Sequence, residues 1–129
     1  MGYNADNQMH HIGVDIIEVA RIKKAVACWG ARFLQRVYTD AELKLCCNQP
    51  PALAARFAGK EAVIKALGGL SKGFRWREIE ILSDPRGKPV VRLHGSMRAR
   101  ASTLGLDNLS ISLSDCEEYA VAFVVGEAK

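Results

Sequence analysis

The sequence predicts an α+β fold, a mostly antiparallel sheet packed against one long helix. Apolar residues alternate in short runs at Ile79, Ile81, Val91 and Leu93, at Leu109, Ile111 and Leu113, and at Tyr119, Val121, Phe123 and Val125, as half-buried strands do. The stretch from Pro50 to Leu67 is apolar or small on nearly every side, the pattern of a buried helix. Short turns join Ile81 to Val91 and Leu113 to Tyr119, which pairs the strands on either side antiparallel.

The elements follow in order. Residues 1–10 read as a flexible polar tail, which also accounts for His10-His11 without a metal. Residues 11–129 form a single domain. His11–Ile17 is a strand, and helical patterning runs on to about residue 36, with Val19, Ile22, Val26, Trp29, Phe33 and Val37 at core spacing. Gly30 breaks it into two pieces. Thr39 followed by Glu42 is a capping-box signature for a short helix. Pro50-Pro51 opens the long helix, where proline is tolerated in the first turn, and Gly68-Gly69 ends it, because glycine accepts the left-handed conformation. Ser83-Asp84-Pro85-Arg86-Gly87 turns one hairpin and Asp115-Cys116-Glu117 another. Residues 95–104 are helical up to Gly105. Trp76, Cys116 and the methionines are expected only to pack.

Composition narrows the functional classes. The chain has 129 residues, 49% of them hydrophobic, enough for one domain with its own core. No run approaches the ~18 apolar residues of a membrane span, and the first residues lack a signal-peptide core. A cytoplasmic protein with no membrane partner is expected. Cys28, Cys46, Cys47 and Cys116 fit neither a disulfide framework nor zinc spacing. The net charge is +4, and Arg21, Lys23, Lys24, Arg32 and Arg36 crowd one segment where only Glu18 offsets them. Such a run is ordinarily a solvated face, and it also suits an acidic partner.

The long helix poses an electrostatic problem. Leu53, Phe57, Ile64 and Leu67 form one stripe, and Ala55, Gly59, Ala62 and Ala66 a small one. Yet Arg56, Lys60, Glu61 and Lys65 fall within the same ten residues. A buried charge without a partner is costly. Glu61 and Lys65 are four apart, in the favourable order for an ordinary surface pair. The surplus of cations suits a phosphate, leaving the carboxylate for a metal. Asp15, inside the apolar strand, is a second acidic candidate, and two carboxylates suffice where Mg²⁺ takes its other ligands from water and phosphate.

Four motifs sit together in one order: Gly13-Val14-Asp15-Ile16-Ile17-Glu18, Phe57-Ala58-x-Lys60-Glu61-Ala62-x-x-Lys65-Ala66, Gly87-Lys88-Pro89, and Ser112-x-Ser114-Asp115-x-x-x-Tyr119-Ala120. From about residue 11 to 125 the chain resembles the holo-[acyl-carrier-protein] synthases, short homotrimeric 4′-phosphopantetheinyl transferases. The resemblance implies that family's fold and activity: transfer of the phosphopantetheine arm of coenzyme A to a serine of apo acyl carrier protein, releasing adenosine 3′,5′-bisphosphate. It implies Mg²⁺ on Asp15 and Glu61, catalytic roles for Glu61 and Lys65, and a coenzyme A site including Arg56, Lys60, Gly68, Lys88 and Pro89. The Gly87-Lys88-Pro89 turn in that site would come from a neighbouring subunit of a homotrimer. Glu61, directly or through a water, would take the serine proton. Arg21, Arg32 and Arg36 would steer an acidic carrier protein. Two positions depart from the common pattern: Asp115 stands where many members have histidine, and Gly68-Gly69 replaces Gly-Thr-Gly. Rival readings are a Mg²⁺-dependent nucleotide hydrolase using the same charges, and a basic nucleic-acid-binding module. The latter wants exposed aromatics among the cations, whereas Trp29 and Phe33 fall at core spacing, so no nucleic-acid partner is expected.

Overall fold

The computed structural model describes residues 10–69 and 73–128 of the chain. Residues 1–9 of the expected tail lie outside them, and His10, expected in that tail, is the first residue of β1 (His10–Glu18). Two helices follow, α1 (Val19–Trp29) and α2 (Ala31–Val37), parted by Gly30 at φ 53°. Helix α3 (Asp40–Cys46) begins with the full capping box: Thr39 Oγ1 accepts from the Glu42 amide and the Glu42 carboxylate accepts from the Thr39 amide. Helix α4 (Pro50–Ala66) is the long central helix, with its prolines in the first turn. A 3₁₀ turn (Trp76–Glu78), strands β2 (Ile79–Ser83) and β3 (Pro89–Leu93), helix α5 (Gly95–Thr103), and strands β4 (Leu106–Asp115) and β5 (Tyr119–Ala128) complete the order.

The described strands form two antiparallel sheets where one was expected: β1-β5-β4, and the hairpin β2-β3. Helix α4 touches β1, β5 and β4 as well as β2, and β3 packs directly against β4. A β-carbon at Gly59 would meet Ile81 Cδ1 of β2 at 2.4 Å and Ile111 Cδ1 of β4 at 3.2 Å. This single helical position thus lies between both sheets, and only a missing side chain lets them approach. Leu53, Ala54, Ala55, Ala58, Gly59, Ala62, Val63, Ile64 and Ala66 of α4 are buried, which explains the helix's small, apolar composition. Phe57 is half-buried and stacks on Trp76 at 5.1 Å between ring centres.

Two packing expectations fail. Trp29, placed at core spacing, is the last residue of α1 and is 63% exposed. Cys116 is exposed in the β4–β5 turn. All four cysteines are free.

Candidate active site

Strand β1 and helix α4 bring the acidic candidates together. Alternation puts Gly13, Asp15 and Ile17 on the face of β1 that meets α4; Gly13 and Ile17 are buried there and Asp15 half-buried. Lys65 Nζ donates to Asp15 Oδ1 at 3.0 Å and to the Val14 carbonyl at 3.0 Å. One turn earlier on α4, Glu61 is half-buried. Burial pushes its carboxyl above the ordinary carboxylate value and the Asp15 charge adds to that, while Lys65 and Arg21 pull it back only in part.

The donor set fits a hard divalent cation. Two carboxylates repel each other across one partly exposed ammonium, and a cation of this kind taking one or two protein carboxylates relieves the repulsion. Among the described residues no group of three or more His, Cys, Asp and Glu gathers into a metal-binding cluster.

Arg56 is five residues before Glu61, towards the helix start. Its Nη2 donates to Ser83 Oγ at 3.1 Å, and its buried Nε has no hydrogen-bond partner. Ser83 ends β2 just before the hairpin turn. Asp84 shapes that turn, accepting at Oδ1 from the amides of Arg86 (2.8 Å) and Lys88 (2.9 Å), while Gly87 takes φ 87°. The exposed Lys88 and half-buried Pro89 follow directly. Gly68 and Gly69 are exposed beyond the end of α4 at φ 91° and 108°. Asp115 is exposed at the end of β4.

Lys60 requires a correction. Its expected place is the coenzyme A site, yet the side chain is fully buried. Its ammonium donates to Glu42 Oε1 at 2.7 Å, to the Trp76 carbonyl at 3.2 Å, and to the Ile79 carbonyl. Those three bonds use its three protons, so an internal partner answers its charge and none is left for a ligand. The helical turn between successive residues explains this, since Lys60 meets β2 while Glu61 is directed towards Asp15 of β1.

The basic segment divides. Arg32 and Arg36 of α2 line a groove of about 460 Å³ with Trp29 and Phe33. Arg21, in the first turn of α1, lies close enough to Glu61 to lower its carboxyl. An exposed tryptophan among arginines is the kind of feature a nucleic-acid reading asked for, so the aromatic argument against that rival no longer holds. Sequence reasoning also missed two positions. Arg100 Nε donates to the Leu67 carbonyl at 3.0 Å and caps the end of α4; nothing in the pattern signalled it. Glu42 was visible as a helix cap but not as the buried counter-charge of Lys60.

This fold and this pairing of carboxylates with cations are the kind of arrangement that phosphoryl transfer uses, where charge neutralisation and positioning carry the chemistry. The family model "4'-phosphopantetheinyl transferase superfamily" matches residues 11–124. A holo-[acyl-carrier-protein] synthase of Dehalococcoides mccartyi is 56% identical over 119 residues, covering 92% of this chain and 99% of that protein. The crystal structure of Helicobacter pylori holo-[acyl-carrier-protein] synthase in complex with coenzyme A superposes with a TM-score of 0.81 at 33% identity, covering 90% of this chain and 99% of the other. The Neisseria meningitidis synthase gives 0.82 at 35% identity, covering 93% and 99%. The chain belongs to the 4′-phosphopantetheinyl transferase superfamily and, within it, to the holo-[acyl-carrier-protein] synthases.

Proposed function

We propose that the protein transfers the 4′-phosphopantetheine group from coenzyme A to a serine of an apo acyl carrier protein, with Mg²⁺, releasing adenosine 3′,5′-bisphosphate. The observation that supports it most is the convergence of Asp15, Glu61 and Lys65 on one edge of α4. The Helicobacter pylori relative was crystallised with coenzyme A, and family membership brings that substrate class to this chain.

Asp15 and Glu61 would hold Mg²⁺, which when bound offsets charge on the pyrophosphate. Lys65 supplies the organic cation. Two of its protons are held by Asp15 and the Val14 carbonyl, and its side chain is 54% exposed. This aims the third proton outward, where it can meet the leaving phosphate. Glu61 is the acceptor nearest the reacting end for the serine proton. Arg56, with a buried Nε awaiting an acceptor, together with Lys88, Pro89 and Gly68, forms the nucleotide end. Arg21, Arg32 and Arg36 present positive charge to an acidic carrier protein, which speeds encounter.

The exposed face of the larger sheet supports a homotrimer with sites at subunit interfaces. Ile12, Val14 and Ile16 of β1 and Phe123 of β5 form an apolar surface with no described cover, as interfaces between subunits do. Among the described residues no helix is long and apolar enough to cross a membrane.

One assay tests the activity. The protein is incubated with coenzyme A, Mg²⁺ and an apo carrier protein, and the carrier is weighed by intact mass spectrometry. A carrier heavier by one phosphopantetheine supports the reading. Release of adenosine bisphosphate without any carrier protein points to a hydrolase and overturns it.

A further inference from the structure

The Glu42–Lys60 pair does more than fill the core. Both side chains are fully buried, and a buried ion pair is often no more stabilising than apolar side chains of the same volume. Stability alone therefore does not account for it. What the pair offers is direction. Strand β2 has β3 on one side and no described strand on the other, so one edge of its backbone needs other partners. The pair provides them. Glu42 Oε2 accepts from the Ile81 amide at 2.9 Å, and Lys60 Nζ donates to the Ile79 carbonyl. The remaining bonds anchor the pair itself: Glu42 Oε1 accepts from Lys60 (2.7 Å) and from the Thr39 amide (2.9 Å), and Lys60 also donates to the Trp76 carbonyl. One acid and one base thus act as a substitute strand, binding the amide of Ile81 and the carbonyl of Ile79 from helices α3 and α4.

Beside this clamp, Thr39 Oγ1 donates to Glu80 Oε2 at 2.7 Å, and Arg56 meets Ser83. All these ties hold the backbone and side chains of β2, while β3 is held by packing against β4. The turn carrying Lys88 and Pro89 projects from the far end of the same strand.

We propose that Glu42 and Lys60 are positioning residues, which set the orientation of the β2–β3 hairpin against α4 and so aim its turn at the nucleotide of coenzyme A. This rests on the reading that the turn contacts coenzyme A. Apolar replacements would preserve burial but lose the bonds that fix orientation.

The test uses two variants in the intact protein, the isosteric E42Q and the paired E42L/K60M, with thermal unfolding measured first. Hydrogen exchange and steady-state kinetics follow. The expected result is a rise of about tenfold or more in KM for coenzyme A, with KM for the carrier protein within about twofold of the parent. Amide exchange should rise across residues 79–93 and stay unchanged in β1. A K60M-containing pair that melts like the parent yet keeps the high KM would show positioning separated from stability. A folded E42Q or E42L/K60M protein with parental KM and parental exchange would overturn the proposal. Lys88→Ala serves as the control for the underlying reading: an unchanged KM for coenzyme A in that variant overturns the turn's role in binding, and the proposal with it.

Discussion

A β-carbon placed on Gly13 would lie 1.8 Å from the carbonyl oxygen of Ala62. Strand β1 therefore crosses α4 backbone to backbone, with no room for any side chain. This contact sets the spacing between the strand that carries Asp15 and the helix that carries Glu61 and Lys65. The atoms in the way are backbone, which cannot rotate aside as a side-chain tip can.

Gly13→Ala should therefore cost more than an ordinary small-to-large change, which runs at about 1–3 kcal/mol. A loss at or above the top of that range is expected from urea unfolding. Where the variant folds, transfer activity should fall sharply because the two carboxylates separate. A stable, fully active Gly13→Ala protein would contradict the close crossing.

Removing a carboxylate separates metal binding from folding. Glu61→Gln relieves the repulsion between Glu61 and Asp15, so the variant should melt no lower than the parent in EDTA. Adding Mg²⁺ should raise the melting temperature of the parent and leave the variant nearly unmoved, as expected for a ligand that binds only the native state. Transfer should drop by roughly 10²-fold or more. Equal stabilisation of both proteins by Mg²⁺ would remove Glu61 from the metal site.

Much of the fold was legible because its signals are local. The alternating strands, the Thr39–Glu42 box, the prolines opening α4 and the glycines at 30, 68 and 87 each act through their own backbone, and each stands where the sequence placed it. The split into two sheets was not legible, since strand pairing is settled by tertiary contacts such as the meeting of Ile81 and Ile111 at Gly59. At the site, Asp15, Glu61 and Lys65 were found as residues that violate their surroundings. Lys60 violated them too, and the sequence could not say that its counter-charge lay 18 positions away on another helix. Sign and spacing identify an uncomfortable charge; only tertiary contact shows whether protein or ligand relieves it.

Carrier docking is best tested away from Glu61. Reversing Arg21 would also disturb the carboxyl it neighbours, mixing docking with chemistry. Arg32→Glu, in the groove with Trp29 and Arg36, is cleaner. It should raise KM for the carrier protein several-fold, weaken the salt dependence of that KM, and leave KM for coenzyme A within about twofold, as loss of steering does. A parallel rise in both constants would remove α2 from carrier recognition.

Acid stability should depend on Glu80. Burial alone would raise its carboxyl, but hydrogen bonds from Thr39 and His94, with the charges of His94 and Arg92, outweigh it and hold the group below the ordinary value. The folded state thus favours the ionised form. Its contribution is complete above the unfolded-state value and is lost as pH falls through the lowered one. Melting temperature measured against pH should fall less steeply for Glu80→Gln than for the parent below the ordinary carboxylate range. Parallel acid limbs would show that the Thr39–Glu80–His94 ties contribute nothing.

The exposed apolar face carries the last prediction. Ile12, Val14 and Ile16 are on the side of β1 opposite Asp15, and Val14 pairs in register with Phe123 of β5. Val14 is 52% exposed and Phe123 44%. Apolar residues in that number on one sheet face are expected to be covered by another subunit. Val14→Glu places a charge where a subunit would pack, and a charge unpaired at such a contact is costly. The parent should sediment as a trimer and the variant as a monomer, while circular dichroism stays unchanged because Val14 makes no part of the buried core. If sites lie between subunits, the monomer should also lose affinity for coenzyme A, although neither Asp15 nor Glu61 has been altered. A monomeric variant with parental affinity would place the whole site within one chain, and a trimeric variant would move the interface to another surface.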